Sequence, residues 1–178
     1  PKEYRDIPEI MQRLNAVAEV RKRTKTIAVQ AQAETPMLFS QIRQPGREYI
    51  LIPETSSSNR RYIPIGFMDK EVIASNSTLV ATNVTLYHFG VLTSNVHNAW
   101  MRTTCGRLKS DYRYSPSVYN NFPWPTPTEI QKNEIEKTAQ NILEARALYP
   151  ECSLADLYDE VAMPIELRQA HRANDRAV

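Results

Sequence analysis

Apolar residues near the start of the chain recur with helical spacing. Between residues 8 and 33 they fall three or four positions apart, at Ile10, Met11, Leu14, Val17 and Ala18. Pro8 suits the first turn of such a helix. Thr24 and Thr26 are β-branched and weaken the helix where they occur, so the segment is open to division into two helices. Thr35 precedes a proline, which ends the helical segment.

From residue 37 onward the pattern changes to short runs separated by turn-forming residues. Four apolar or β-branched runs are predicted strands, at residues 49–52, 61–68, 72–74 and 78–82. Pro64 interrupts the second run, which confines it to the edge of a sheet or to a bulge. Residues 54–59 (ETSSSN) have the polar composition of a loop.

The next segment combines a predicted helix with a predicted extended stretch. Residues 86–101 place Tyr87, Val91, Leu92, Val96 and Trp100 roughly on one helical stripe. Gly106 then turns the chain into GRLKSDYRYS. If that stretch is extended, alternate residues share a face, and the shared face carries Lys109, Asp111 and Arg113.

The last third of the chain is predicted to be helical. One helix covers residues 129–148 with Thr128 as its cap, a short one begins at Ser153, and another begins at Pro164. His171 lies on the apolar stripe of the last helix, which favours a core or capping role. The sequence therefore predicts an α+β fold with a small, twisted, mixed or antiparallel sheet. We expect three regions: a helical spacer at 1–36, a sheet-containing domain at 37–126 and a helical region at 127–178.

Composition narrows the class of protein. The 178 residues are 42% hydrophobic and 24% charged, as in globular proteins. No apolar run approaches the roughly 20 residues that span a bilayer, and the start does not resemble a signal peptide. Two cysteines and three histidines lack metal-ligand spacing, so we expect reduced thiols in a cytoplasm and no metal site. The missing initial methionine fits a fragment of a longer chain.

Charge is distributed unevenly along the chain. Residues 43–126 carry nine Lys/Arg and five Asp/Glu, a balance of +4, whereas residues 127–178 carry six Lys/Arg and ten Asp/Glu, a balance of −4. The asymmetry favours a polyanionic partner for the middle segment. The absence of GxGxxG, GxxxxGK[ST] and GxSxG motifs leaves no loop for a phosphate-bearing cofactor and no serine-hydrolase elbow.

Two interpretations fit the mixture of cations and aromatic residues at 87–125. In one, the rings pack a core and the cations are solvated. In the other, the segment is a nucleic-acid surface. The predicted face of Lys109, Asp111 and Arg113 has the same two interpretations. It is either a surface strand with an ion pair worth under about 1 kcal/mol, or a base-reading face in which Lys and Arg donate to guanine and Asp accepts from cytosine.

Several of these segments resemble one family, in the order in which the family has them. The segments SSSNRR with RYIPIGFM, HFGVLTS, GRLKSDYRYS, VYNNFPWP and LADLYDEVAMPIELRQAHRANDRAV are similar to the C-terminal part of MmeI-like restriction–modification enzymes and related DNA methyltransferases. The resemblance covers nearly the whole chain. It implies a helical spacer, a target recognition domain that reads double-stranded DNA, and a C-terminal helical region.

The resemblance also implies a division of labour. In the family, an upstream domain of the same bacterial, cytoplasmic protein transfers a methyl group from S-adenosylmethionine to an adenine amine. The family's NPPY-like catalytic motif is absent here, and Asn121-Phe122-Pro123-Trp124 departs from it at two positions. A PD…ExK nuclease motif is absent as well. The chain alone is therefore expected to be non-catalytic and to hold no cofactor.

Candidate contacts carry over from the family to particular residues. The base-reading positions match Lys109, Asp111 and Arg113, with a further one near Ser77. Cations expected at phosphates, which orient a protein without specifying sequence, are Arg60, Arg61, Arg102 and Arg107. An Arg beside Trp100 or Tyr62 has the alternative role of stacking on the ring.

Two rival functions remain open on the sequence. One is a protein-interaction module whose aromatic stretch is the interface. Salt dependence separates it from DNA binding, because phosphate contacts weaken steeply with salt. The other is a stand-alone enzyme, which is disfavoured because no cluster of nucleophile, base and oxyanion donors has a recognisable spacing.

Overall fold

A computed structural model of the protein describes residues 3–178, and the chain divides into two compact units at Arg43. The first unit is helical, and the second combines short strands with helices. The predicted α+β class, with helices at both ends of the chain, is confirmed.

The first unit contains two helices, as the threonines suggested. After a 3-10 turn at Glu3–Asp6, helix α1 covers Pro8–Arg23 and helix α2 covers Ile27–Ala31, followed by a second 3-10 turn at Gln32–Glu34. Arg21 holds the returning chain, because its guanidinium donates to the carbonyl oxygens of Gln32 at 2.9 Å, Thr35 at 3.0 Å and Leu38 at 2.7 Å.

Six short strands of the second unit form two antiparallel sheets. They are β1 (Tyr49–Pro53), β2 (Thr55–Ser56), β3 (Gly66–Met68), β4 (Thr78–Ala81), β5 (Gly106–Leu108) and β6 (Asp111–Arg113). The first sheet has the order β3-β1-β4 and the second β2-β6-β5. The strand after Pro64 lies at a sheet edge, as predicted, although it covers only residues 66–68.

One strand prediction and one loop prediction were wrong. Residues 72–74 form no strand, because side chains take the place of a partner strand at the Val72 carbonyl. Tyr49 donates to this carbonyl at 2.6 Å and Gln44 at 2.7 Å, and Gln44 also donates to the nearby Lys70 carbonyl at 2.7 Å. The predicted loop at 54–59 contains β2, which pairs with β6 more than fifty residues away. Such a distant partner leaves no local signal.

Six helices complete the second unit. They are α3 (Leu86–Leu92), α4 (Asn95–Thr104), α5 (Pro116–Asn120), α6 (Glu129–Ala147), α7 (Leu154–Leu157) and α8 (Ile165–Ala177). The prediction of one helix at 86–101 was wrong. Ser94 begins α4 as its N-cap, accepting a hydrogen bond from the His97 N–H at 3.3 Å, and Thr93 donates to the Phe89 carbonyl at 2.8 Å. The cap predicted at Thr128 is confirmed, and the short helix predicted to begin at Ser153 has that residue as its N-cap.

The aromatic residues of segment 87–125 mostly pack the core. Tyr87, Phe89, Tyr114 and Phe122 are buried, and both tryptophans are half-buried. Trp100 donates its indole N–H to the Val118 carbonyl at 2.9 Å. The first interpretation of this segment is therefore correct for its rings, while the cations Arg102, Arg107, Lys109 and Arg113 are exposed.

Two buried histidines are held in the neutral form. The Leu92 carbonyl can only accept, so His97 donates from Nδ1 at 2.9 Å and accepts the Tyr114 hydroxyl at Nε2 at 2.9 Å. His171 accepts the Tyr158 hydroxyl at 2.6 Å and stacks on Tyr62, which confirms a core role. Burial lowers the pKa of His97 to about 4 and, with help from the nearby Arg146, that of His171 to about 3.

These pKa values predict a loss of stability in mild acid. Between pH 6.5 and about 4, the unfolded chain binds protons at both histidines that the folded chain excludes. Stability is therefore complete above pH 6.5 and falls below it by about 1.4 kcal/mol per pH unit for each buried histidine. Urea unfolding of the 178-residue chain between pH 7.5 and 5 measures this slope before most carboxylates titrate. A flat profile over that range would contradict the assignment.

Candidate nucleic-acid interface

Strands β5 and β6 form a hairpin closed by the two residues Lys109 and Ser110. Lys109 has a φ of 56°, and Arg107 donates to the Ser110 carbonyl at 2.9 Å. The prediction of one extended stretch with three residues on one face is therefore corrected, because Lys109 lies at the hairpin tip. A left-handed first turn residue is usually Gly or Asn, so a Lys there gave no turn signal.

The two faces of the hairpin carry different side chains. Asp111 and Arg113 share one face, as predicted, together with the cross-strand neighbour Leu108, which is 52% exposed. Arg107 lies opposite Tyr112 on the other face. Asp111 also accepts a long hydrogen bond from the Ser58 N–H at 3.4 Å, which ties the hairpin to the loop after β2.

Ser77 lies close to the base of this hairpin, although it is distant in sequence. The Glu54 N–H donates to the Ser77 carbonyl at 3.0 Å, and the Glu54 carbonyl accepts from the Tyr114 N–H at 2.7 Å. Ser77 and the end of β6 thus flank the same residue, roughly 10 Å apart by two strand spacings. The fold brings the four predicted base-reading residues to one region, with Ser77 exposed in a turn.

The arginines predicted at phosphates surround the opposite face of the hairpin and the adjacent loop. The guanidinium carbons of Arg107 and Arg102 lie 4.1 and 5.4 Å from the centre of the Tyr112 ring. Arg102 also donates to the Arg60 carbonyl at 2.7 Å. Each guanidinium has five N–H donors, so these contacts leave others free to bind a ligand.

Arg61 takes the stacking role that the sequence left open. Its guanidinium carbon is 5.5 Å from the centre of the Tyr62 ring, and the side chain is exposed. The half-buried Arg60 reaches the Ala155 carbonyl at the limiting distance of 3.5 Å. All four arginines thus have contacts within the protein. In residues 3–178 none of them forms an ion pair.

A polar groove of about 590 Å³ begins beside Arg102. Amide, hydroxyl and guanidinium groups line it together with one carboxylate and one methyl group; the lining residues are Ser58, Asn59, Arg61, Asn95, Asn98, Ala99, Arg102 and Glu160. A second groove of about 270 Å³ shares Asn59, Arg61 and Glu160 with the first and extends to Arg168 and Arg172 of α8. The sequence analysis did not select these two arginines because the net charge of residues 127–178 is negative. Their four-residue spacing, which places both on one face of a helix, was the signal that could have identified them.

Helix α8 also fixes the start of α4, the helix that carries Arg102. Asp175 accepts hydrogen bonds from the backbone N–H of Asn95 at 2.8 Å and from its amide at 2.6 Å, and from the Tyr62 hydroxyl at 2.7 Å. A carboxylate at a helix N-terminus is electrostatically favourable. Burial, followed by this carboxylate, raises the pKa of Tyr62 well above its ordinary value, so the phenol stays a donor.

The described residues also bear on metal binding and membrane insertion. Within residues 3–178 no group of His, Cys, Asp and Glu is arranged to hold a metal ion, and Cys105 and Cys152 are free thiols. Across that same stretch, no helix has the length and apolar character needed to cross a membrane. The candidate site is the surface of the hairpin and the first groove, because the exposed cations Arg102, Arg107, Lys109 and Arg113 lie on it.

Comparison with known proteins identifies the family. The family model of the MmeI target recognition domain matches residues 1–126, and that of the MmeI C-terminal domain matches residues 127–178. This chain belongs to the MmeI family. The predicted resemblance is thereby confirmed, and the hairpin with its surrounding arginines lies inside the matched target recognition domain.

Two characterised proteins resemble the chain over almost its full length. DNA methyltransferase A of Bacillus subtilis (strain 168) is 37% identical over 172 residues, which are 96% of this chain and 20% of that protein. The solved structure of the type IIL restriction-modification enzyme MmeI in complex with DNA matches with a TM-score of 0.91 and 49% identity, covering 99% of this chain and 24% of that one. The chain therefore spans about a fifth to a quarter of the length of these relatives.

Proposed function

We propose that this chain reads the DNA sequence for a longer DNA methyltransferase of the restriction–modification type. The observation that carries the proposal is the hairpin, with Lys109 exposed at its tip and Asp111 and Arg113 on one face of β6. Beyond the pairing of β2 with Tyr112 and Arg113, the tip is a two-stranded β-ribbon, which a major groove can admit. The relative MmeI was solved in complex with DNA, which supports the same assignment.

Base readout is assigned to the side chains at and beside the hairpin tip. Lys109 and Arg113 donate to guanine O6 and N7, and Asp111 accepts from the cytosine amine, through the oxygen that does not face Ser58. Ser77, at the base of the hairpin, has a hydroxyl that both donates and accepts. The base that each one reads depends on the register of the duplex.

Phosphate contacts beside the hairpin orient the duplex relative to the base-reading side chains. Arg60, Arg61, Arg102 and Arg107 are assigned to them, because they are cations without ion-pair partners in the described residues and they adjoin the hairpin. Amide and hydroxyl groups of the first groove add neutral donors to the backbone. Such contacts supply affinity that does not depend on sequence.

The catalytic step belongs to another part of the same protein. We propose an upstream domain that uses S-adenosylmethionine to methylate an adenine, which the bound duplex presents after the base is flipped out of the stack. In this bacterial, cytoplasmic protein, residues 1–36 serve as the spacer, 37–126 as the recognition domain and 127–178 as the helical support.

The first unit offers a surface for that upstream domain. Several of its apolar side chains are largely exposed, namely Val20 at 71%, Ile27 at 81%, Phe39 at 80% and Ile42 at 68%. Exposed apolar surface of this kind is typical of a protein contact. Since the chain spans only a quarter or less of its relatives, the methyltransferase part of the same protein is the proposed partner.

Salt-dependent DNA binding tests the proposal. We expect Arg60→Ala with Arg61→Ala to weaken binding of the whole protein to cognate and unrelated duplexes alike. The slope of log affinity against log salt should become shallower by about 1.8, since each phosphate contributes about 0.9. The control is Lys132→Ala with Lys137→Ala, which removes the same charge from α6, away from both grooves.

Two results would contradict the assignment. A loss confined to the cognate sequence would move these arginines from phosphates to bases. Affinity of the wild-type protein that is indifferent to salt would favour the protein-interaction module instead.

A further inference from the structure

The two grooves share lining residues and form one path that leads from the hairpin to the C-terminal helix. Arg102 contacts Tyr112 of the hairpin and lines the first groove. Asn59 and Arg61 line both grooves, and the second ends at Arg168 and Arg172. The path therefore leaves the target recognition domain and continues onto the helical region that follows it.

Cations exceed acids along this path. Four arginines line it (Arg61, Arg102, Arg168 and Arg172), against two carboxylates, Asp159 and Glu160. Asp159 is already engaged, because one of its oxygens accepts the N–H groups of Val161 at 2.9 Å and Ala162 at 3.0 Å. The residual charge favours an anionic ligand.

The two arginines of α8 differ in how much the fold uses them. Arg168 donates to the Val161 carbonyl at 3.0 Å, which leaves its other N–H groups free. The side chain of Arg172 is exposed and makes no hydrogen bond or ion pair with any other residue in the part of the chain that the structure describes. A cation held at a groove without a partner is available to a ligand.

We infer that Arg168 and Arg172 bind the phosphate backbone of the same DNA that the hairpin reads. The inference rests on the proposed function and extends it: the C-terminal region contacts DNA in addition to supporting α4. DNA is the anion because the path is continuous with Arg102, which contacts Tyr112 of the reading hairpin. Ser58, Asn59 and Asn95 provide neutral donors along it, as is usual at phosphates and sugars.

The test measures DNA affinity of the whole protein as a function of salt. For Arg168→Ala with Arg172→Ala we expect a slope shallower by about 1.8, an equal loss on cognate and unrelated duplexes, and an unchanged methylated sequence. Because Arg168 also bonds within the protein, Arg172→Ala is measured alone, with an expected change of about 0.9. Arg168→Lys with Arg172→Lys keeps both charges and should restore most of the slope.

The control pair Lys132→Ala with Lys137→Ala separates a local contact from a change in net charge. If the Arg168/Arg172 variant and this control have the same slope, the inference is overturned while the proposed function stands. If the wild-type protein binds no duplex at all, the proposed function fails, and the inference fails with it.

Discussion

Exchanging the charges at the hairpin, by Lys109→Glu with Asp111→Arg, is expected to change one base pair of the methylated sequence while methylation stays efficient. A donor becomes an acceptor at the tip, and an acceptor becomes a donor on the adjoining face. Each good side-chain–base pair discriminates against the wrong base by about 1–3 kcal/mol, so the preference should change by roughly 5- to 150-fold. Sequencing-based methylation mapping in cells that express the whole protein measures this directly.

The positive φ of Lys109 provides a control for the backbone. Lys109→Gly keeps or eases the left-handed turn while removing the side chain. We expect relaxed specificity at one position rather than a new preference. A second control is Lys70→Glu, a charge reversal outside both the hairpin and the grooves, which should leave the motif unchanged. Unchanged motifs in all variants, with intact methylation, would remove Lys109 and Asp111 from base readout.

Sequence patterns correctly predicted those elements that are determined by residues close together in the sequence. The helix caps at Thr128 and Ser153 and the interruption near Thr24 are each set by neighbours within a few residues. The strand predicted at 72–74 was wrong for the opposite reason, because the Val72 carbonyl is bound by Tyr49 and Gln44, more than twenty residues away in sequence. Propensity alone contains no information about such partners.

The same distinction explains how much of the candidate site was predictable. The prediction that Asp111 and Arg113 share a face is confirmed, because both residues lie on one short strand. The position of Lys109 at the hairpin tip could not be predicted from the sequence, because the chain reverses there without the Gly or Asn that usually indicates a turn. The net charge of residues 127–178 did not reveal Arg168 and Arg172. That segment has four more Asp/Glu than Lys/Arg, and this difference does not show which face of the fold carries the arginines. Only the fold shows that this face adjoins Arg61.

Gly90 is the glycine at which an added side chain should cost the most stability. A Cβ at Gly90 would lie 2.7 Å from Cγ2 of Ile135, 3.0 Å from Oδ1 of Asn174 and 3.2 Å from Cβ of Ala139. The glycine thus lets α3 approach α6 and α8 closely. Asn174 uses that approach, because its amide donates to the Gly90 carbonyl at 2.7 Å while its oxygen accepts from Thr138 at 3.1 Å.

Gly90→Val is therefore expected to lower the free energy of unfolding by about 3 kcal/mol or more. Overpacking a closed core costs about 1–3 kcal/mol, and the displaced Asn174 would leave buried polar groups unpaired at a further 1–3 kcal/mol. Urea unfolding of the 178-residue chain measures the loss. Gly106→Val is the matched control, since a Cβ there meets nothing within 4 Å. Equal stability of the two variants would show that α3 can move away from α6 and α8 at little cost, and that the C-terminal region does not hold the recognition domain as tightly as these contacts indicate.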